Sequence, residues 1–286
     1  MVKFIDKSIR YRLLDLTKKQ GLNYQQVLIR FVHERLLYRL SISAFKNSLF
    51  LKGGSLLFAY EKFSSRPTVD VDFLGQNISS DKKHIKDVFS NICTQPCSED
   101  GLVFDNENIL VDDIMINKEH KGVRVQLTAH LDTIVQRISI DIGFGDIITP
   151  NPVQITYPAL LSGIPETILL SYSLETVIAE KFHAMIVLEE ENSRMKDFFD
   201  MYQIFSKQTV DSKILQSAIT NTFRNRNTNL PKQVIAFTDK FAEDPTRIRF
   251  WEGFLRRIKW KDPLDFKDVI TLIRERLQPI LNEING

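Results

Sequence analysis

The chain has 286 residues, 43% hydrophobic and 26% charged, with 38 basic against 36 acidic side chains. That composition describes a folded globular protein, long enough for one large or two ordinary domains, and excludes a disordered or fibrous chain. A net charge of +2 is too small to argue for a polyanionic partner, and two cysteines, Cys93 and Cys97, make neither a disulfide framework nor a four-ligand zinc site.

The stretch MVKFIDKSIRYRLLDL is charged throughout and reads as no signal peptide, and no apolar run reaches the length of a membrane span. The expectation is a cytoplasmic protein with free thiols and no membrane partner. Residues 7–46 place leucines and valines at three- and four-residue spacing and predict helices, punctuated by Gly21. From about 49 to 150 short alternating runs take over. VDVDFLG, ILVDDIMI, VRVQLTAHL and RISIDIGF predict strands, with a crossover helix over DKKHIKDVFSNIC. Pro150, Pro152, Pro158 and Pro165 mark a boundary. Beyond it SLETVIAEKFHAMIVLEEE, MKDFFDMYQIFSK, DSKILQSAITNTFRNR, PKQVIAFTDKFAED and FKDVITLIRERLQPILNEI predict helices. The fold class that follows is α/β (α+β): N-terminal helices, a mixed sheet, and a helical C-terminal part.

Chemistry concentrates in LKGGSLLFAYEKFSSRPTVDVDFLG. Strand alternation puts Val69, Val71 and Phe73 on one face and Asp70 and Asp72 on the other. Two carboxylates roughly 6–7 Å apart repel by about 2–3 kcal/mol at an effective dielectric of about 20, and a divalent cation between them reverses that sign. A fully wet strand face would also tolerate them. Gly53, Gly54 and Ser55 stand at what reads as a helix start, where backbone N–H groups and the dipole favour an anion, although Ser55 could serve only as a cap. A phosphate cradle beside a carboxylate pair is what metal-assisted phosphoryl transfer requires.

That chemistry calls for a third carboxylate. In QRISIDIGFGD, Ile138, Ile140 and Ile142 share one face while Ser139 and Asp141 take the other, so Asp141 is the candidate. Asp146 reads as a turn residue. Asp112 and Asp113 are rivals that point opposite ways, so at most one of them could join. Arg66, just ahead of the acidic strand, is a further phosphate contact to consider.

LKGGSLLF followed by RPTVDVDFLG resembles the GS…DxD signature of the polymerase-β-like nucleotidyltransferase superfamily. With FVHERLLYRLSIS, SIDIGFGD, LETVIAEKFHAMI and RMKDFFDMYQI in order, the chain is similar to the AbiEii/AbiGii family of abortive-infection nucleotidyltransferase toxins over about residues 25–206. The resemblance implies a polymerase-β-like nucleotidyltransferase domain over 1–160, and a helical domain over 161–286 that contributes Lys181 and Asp197 to the site. It implies transfer of an NMP from an NTP to an RNA acceptor such as tRNA, with Mg²⁺ or Mn²⁺, and a separately encoded antitoxin. Asp70, Asp72 and Asp141 would hold metal; Gly53, Gly54, Ser55, Arg66, Lys181, Asp197 and Asp200 would bind nucleotide. An adenylyltransferase acting on a small molecule or a protein, and a non-catalytic RNA- or protein-binding module, are the alternatives.

Lys181 lies in the middle of an apolar face formed by Leu174, Val177, Ile178, Met185 and Leu188, so an anion must meet it or its stem must snorkel. His183 lies off that face and reads as surface. Asp197 and Asp200 stack one turn apart near a helix start, where the dipole favours acids, and could position Lys181 or Arg194. NTFRNRNTNLPK and FLRRIKWK are the densest basic stretches outside the centre, with Arg224, Arg226, Arg256, Arg257 and Lys259 the cations expected to meet RNA.

Overall fold

The computed structural model describes residues 4–115 and 121–285. It divides into two compact units, Met1–Gly145 with Val153–Ser171, and Asp146–Pro152 with Tyr172–Gly286.

The first unit is built on an eight-stranded mixed sheet. Its strands are β1 (Leu49–Lys52), β2 (Asp70–Gly75), β3 (Leu102–Phe104), β4 (Leu110–Met115), β5 (Lys121–Leu131), β6 (Ile134–Phe144), β7 (Val153–Tyr157) and β8 (Thr167–Ser171). They lie in the order β3-β5-β6-β2-β1-β8-β7, with β4 sharing the outer edge of β5. Its helices are α1 (Ile5–Gln20), α2 (Tyr24–Ile42), α3 (Gly53–Glu61) and α4 (Lys82–Cys93). Gly21 ends α1 in the left-handed region, its N–H returning to Lys18 and Thr17, and Asn23 and Asp81 cap α2 and α4.

One face of the sheet is apolar. Val71 and Phe73 on β2, Ile140 and Ile142 on β6 and Val123 and Val125 on β5 are buried. Helix α2 packs on this unit with an unusual cargo of buried charge. Glu34 pairs with Arg35 at 2.7 Å, and Arg39 forks onto Asp100 at 2.7 and 3.2 Å. Arg30 lies 4.0 Å above the Phe58 ring and reaches Ser65 and the Arg66 carbonyl. Buried cations persist only when so partnered. Here the partner is the loop that leads into β2, so α2 fixes where the acidic strand begins.

The second unit is helical: α5 (Leu174–Leu188), α6 (Met195–Lys207), α7 (Ser212–Asn225), α8 (Asp239–Ala242), α9 (Pro245–Ile258) and α10 (Phe266–Asn285). Ser173, Asp211 and Asp244 cap α5, α7 and α9, and Phe198, Phe199, Phe241, Trp251, Phe254 and Phe266 form a contiguous aromatic core.

Three details differ from the sequence expectation. Strand β1 reads LFLK, buried and without alternation, and β3 has three residues, so neither carries a period-two signal. The proline-rich boundary contains β7 and precedes β8, because its prolines fall outside the paired residues. The helix expected over 231–244 is a 3₁₀ turn at Ile235–Phe237 and the short α8; Thr238 is extended and caps the new start through Phe241 N–H. The last residue of ILVDDIMI, Ile116, lies outside the described residues.

Candidate active site

Strands β2 and β6 run parallel, with Asp70 opposite Ser139 and Asp72 opposite Asp141. Register partners share a face and stand about 5 Å apart at Cβ. The structure therefore brings Asp70, Asp72 and Asp141 onto one face, with Val71, Phe73, Ile140 and Ile142 on the buried one. The rung through Asp72 continues on both sides: Lys52 on β1 opposes Asp72, Arg124 on β5 opposes Asp141, and Asp112 on β4 opposes Arg124. Two adjacent acids repel by about 3 kcal/mol at an effective dielectric near 20. The cations at either end of the pair offset that cost.

The cation nearest Asp141 is held in a fork. Arg124 donates from Nε to Oδ1 and from Nη2 to Oδ2, both at 2.7 Å. Its hydrogen bonds to Asp141 push an already high guanidinium pKa further up, and the charges of Asp141, Asp70 and Asp72 add to the effect. Sequence reading passed over Arg124, although the signal was available. Strands β5 and β6 form a hairpin about Asp132 and Thr133, and counting back from that turn pairs residue 124 with residue 141.

The glycines stand against the same acids. Gly53 has φ +67°, and a Cβ there would lie 2.0 Å from Asp72 Oδ2, so only glycine admits that carboxylate to the start of α3. A Cβ on Gly54 would meet the Thr68 side chain at 3.0 Å and Arg66 Nη1 at 3.3 Å. Arg66 therefore lies beside the first turn of α3. Ser55 is 1% exposed and donates to the Asp70 carbonyl at 3.2 Å, as Thr68 does. It is not the helix cap; Lys52 holds that position without a side-chain bond. Ser55 thus ties α3 to the first residue of the acidic strand.

Within the second unit, Lys181 Nζ donates to Asp197 Oδ1 at 2.7 Å and to Asp200 Oδ2 at 2.8 Å, and Arg194 reaches the other oxygen of Asp197 at 2.5 Å. The anions that meet Lys181 are thus these two aspartates, and α5 and α6 are stapled through them. Burial alone would raise the Asp197 pKa; the charges of Lys181 and then Arg194 outweigh it and hold the carboxyl below the usual carboxylate range.

A neighbouring network corrects three readings. Arg226 is buried and donates to Asp146 at 2.8 Å, with Glu180 at 3.1 Å, so it is no surface cation and Asp146 is no mere turn residue. His183 is 7% exposed, between Thr228 Oγ1 at 2.9 Å and Arg226 at 3.3 Å, and is not on the surface.

Among the described residues, no group of three or more His, Cys, Asp or Glu side chains is gathered closely enough to hold a metal. Asp70 and Asp72, hard oxygen donors sharing a face, are the pair that fits a divalent cation, and Asp141 is their register neighbour under the fork of Arg124. The same described residues contain no helix long and apolar enough to cross a membrane.

A comparison with curated proteins gives no match. Two solved Helicobacter pylori structures resemble the fold. One, of a protein assigned as a nucleotidyltransferase, is 14% identical with a TM-score of 0.51 and covers 92% of this chain and 98% of that one. The other, JHP933, is 13% identical with a TM-score of 0.51 and covers 92% and 95%. The profile of the family described as "Nucleotidyl transferase AbiEii toxin, Type IV TA system" matches residues 35–272. That span takes in the glycine turn, all three strand carboxylates and the Lys181 cluster, and the chain belongs to this family of nucleotidyltransferases.

Proposed function

We propose that the protein transfers an NMP from an NTP to a hydroxyl of an RNA acceptor, with tRNA the first acceptor to test. The observation that carries this reading is the register of β2 and β6, which sets Asp72 beside Asp141 while the α3 glycine turn abuts Asp72. The acceptor oxygen forms a bond to the α-phosphorus, the bond from that phosphorus to the β-phosphate bridge breaks, and pyrophosphate leaves. Asp141 takes the acceptor proton. Asp70 and Asp72, with Asp141, are the residues that would hold Mg²⁺ or Mn²⁺, which when bound supplies neutralising charge to the polyphosphate. The N–H groups of Gly53 and Gly54 at the start of α3, with Arg66 beside them, bind phosphate oxygens; Ser55 holds that turn on β2. A nucleotide-binding role is proposed for Lys181 too, which Asp197 and Asp200 orient within the helical unit.

Exposed Arg224, Arg256, Arg257 and Lys259 supply a surface for the RNA backbone. The type IV toxin–antitoxin description of the family supports a cytoplasmic toxin restrained by a separately encoded antitoxin. Incubation with each α-labelled NTP and total RNA tests the reading. Label in an RNA band supports it; label confined to a small molecule or to protein would favour an adenylyltransferase of another class.

A further inference from the structure

The fork between Arg124 and Asp141 has a consequence for how the acidic site fills. Both oxygens of Asp141 face the guanidinium at 2.7 Å, so a cation approaching Asp141 meets a fixed positive charge already bound there. The arginine is well placed to leave. Its side chain is 39% exposed against 19% for Asp141, so the long stem can swing without opening the core. A second acceptor stands on its other side: Asp112 is the register partner of Arg124 on β4, on the same face and exposed. One arginine thus lies between two carboxylates, one inside the acidic trio and one outside it.

We propose that Arg124 is a charge lock on the third carboxylate, competing with the divalent cation for Asp141 and using Asp112 as its alternative partner. It sets the cation concentration at which the site fills. The inference rests on the metal-dependent reading of Asp70, Asp72 and Asp141. Arg124 acts through Asp141 and is a positioning residue.

The test is Mn²⁺ binding to the full chain without nucleotide, followed by electron paramagnetic resonance and by the rise in melting temperature on adding Mn²⁺. Replacing Arg124→Gln removes the competitor and should tighten Mn²⁺ binding by about tenfold, the scale of one charge-assisted contact. A residue that merely braced the hairpin would instead weaken binding when removed. Should the glutamine variant fail to fold, Arg124→Lys keeps the charge but loses the fork, and should tighten binding by a smaller factor, about threefold. Asp112→Asn removes the alternative partner and should weaken binding in the wild-type background but not in Arg124→Gln, where there is no arginine left to park. Equal or weaker Mn²⁺ binding in the Arg124 variants, beside wild-type binding that Asp72→Asn abolishes, overturns the lock and leaves the metal site standing. If neither wild type nor the Arg124 variants bind Mn²⁺ through Asp72, the metal reading falls and the lock with it.

Discussion

Gly53 and Asp72 approach so closely that a methyl group on the glycine would stand 2.0 Å from the carboxylate oxygen. The glycine belongs to the start of α3 and the aspartate to β2, so this contact sets the glycine turn against the acidic face. Gly53→Ala meets two obstacles, the positive φ and the displaced carboxylate. We expect a loss of roughly 1–3 kcal/mol of stability and a much larger loss of NTP use, read by thermal denaturation and by label transfer. An alanine variant with normal turnover would remove the turn from the site.

Lys181 sits between Asp197 and Asp200, and removing its charge takes a cation from two buried carboxylates, of which Asp197 keeps Arg194. On sequence alone an apolar replacement suits the face of α5. The structure reverses that expectation: Lys181→Met should cost about 3–5 kcal/mol, the penalty for breaking one side of a buried ionic group. Chemical denaturation checks it, and an unchanged midpoint would show the lysine to be dispensable for the fold.

The same cluster makes acid stability depend on Asp197. Its folded pKa is depressed, so the stabilisation is complete above the unfolded value of about 4 and is lost as the pH falls toward the folded one. Wild type should exceed Asp197→Asn in stability at neutral pH, and the gap should narrow below about pH 4. A constant gap down to pH 2.5 would mean that the carboxylate is not held by Lys181 and Arg194.

RNA binding should weaken steeply with salt, because phosphate contacts release counterions. Neutralising Arg256 and Arg257, both exposed, should flatten that dependence while leaving nucleotide binding intact. Arg226 behaves differently. Buried against Asp146 and Glu180, its replacement by glutamine should lower the melting temperature rather than alter the salt slope.

The acidic site was legible in the sequence because strand alternation is local. Asp70 and Asp72 must share a face whatever the rest of the chain does, and Ile138, Ile140 and Ile142 mark the opposite face for Asp141. The partners were harder to read, since pairing between β2 and β6 joins residues about seventy apart in sequence and no local pattern reports it. Arg124 was recoverable from the hairpin count, and its exposure on a strand hid its role. His183 and Arg226 were misread because charge suggests surface; only the tertiary meeting with Asp146, Glu180 and Thr228 makes their burial affordable.

The most direct test of the central claim is transfer of label from an α-labelled NTP to RNA, run with Mg²⁺ and with chelator, for wild type, Asp70→Asn and Asp72→Asn. Wild type should label RNA only with the metal, and both variants should fold yet lose at least a thousandfold in rate, the scale expected when one part of a phosphoryl-transfer centre is removed. Label incorporated by either variant at the wild-type rate, or by wild type in chelator, would contradict the account.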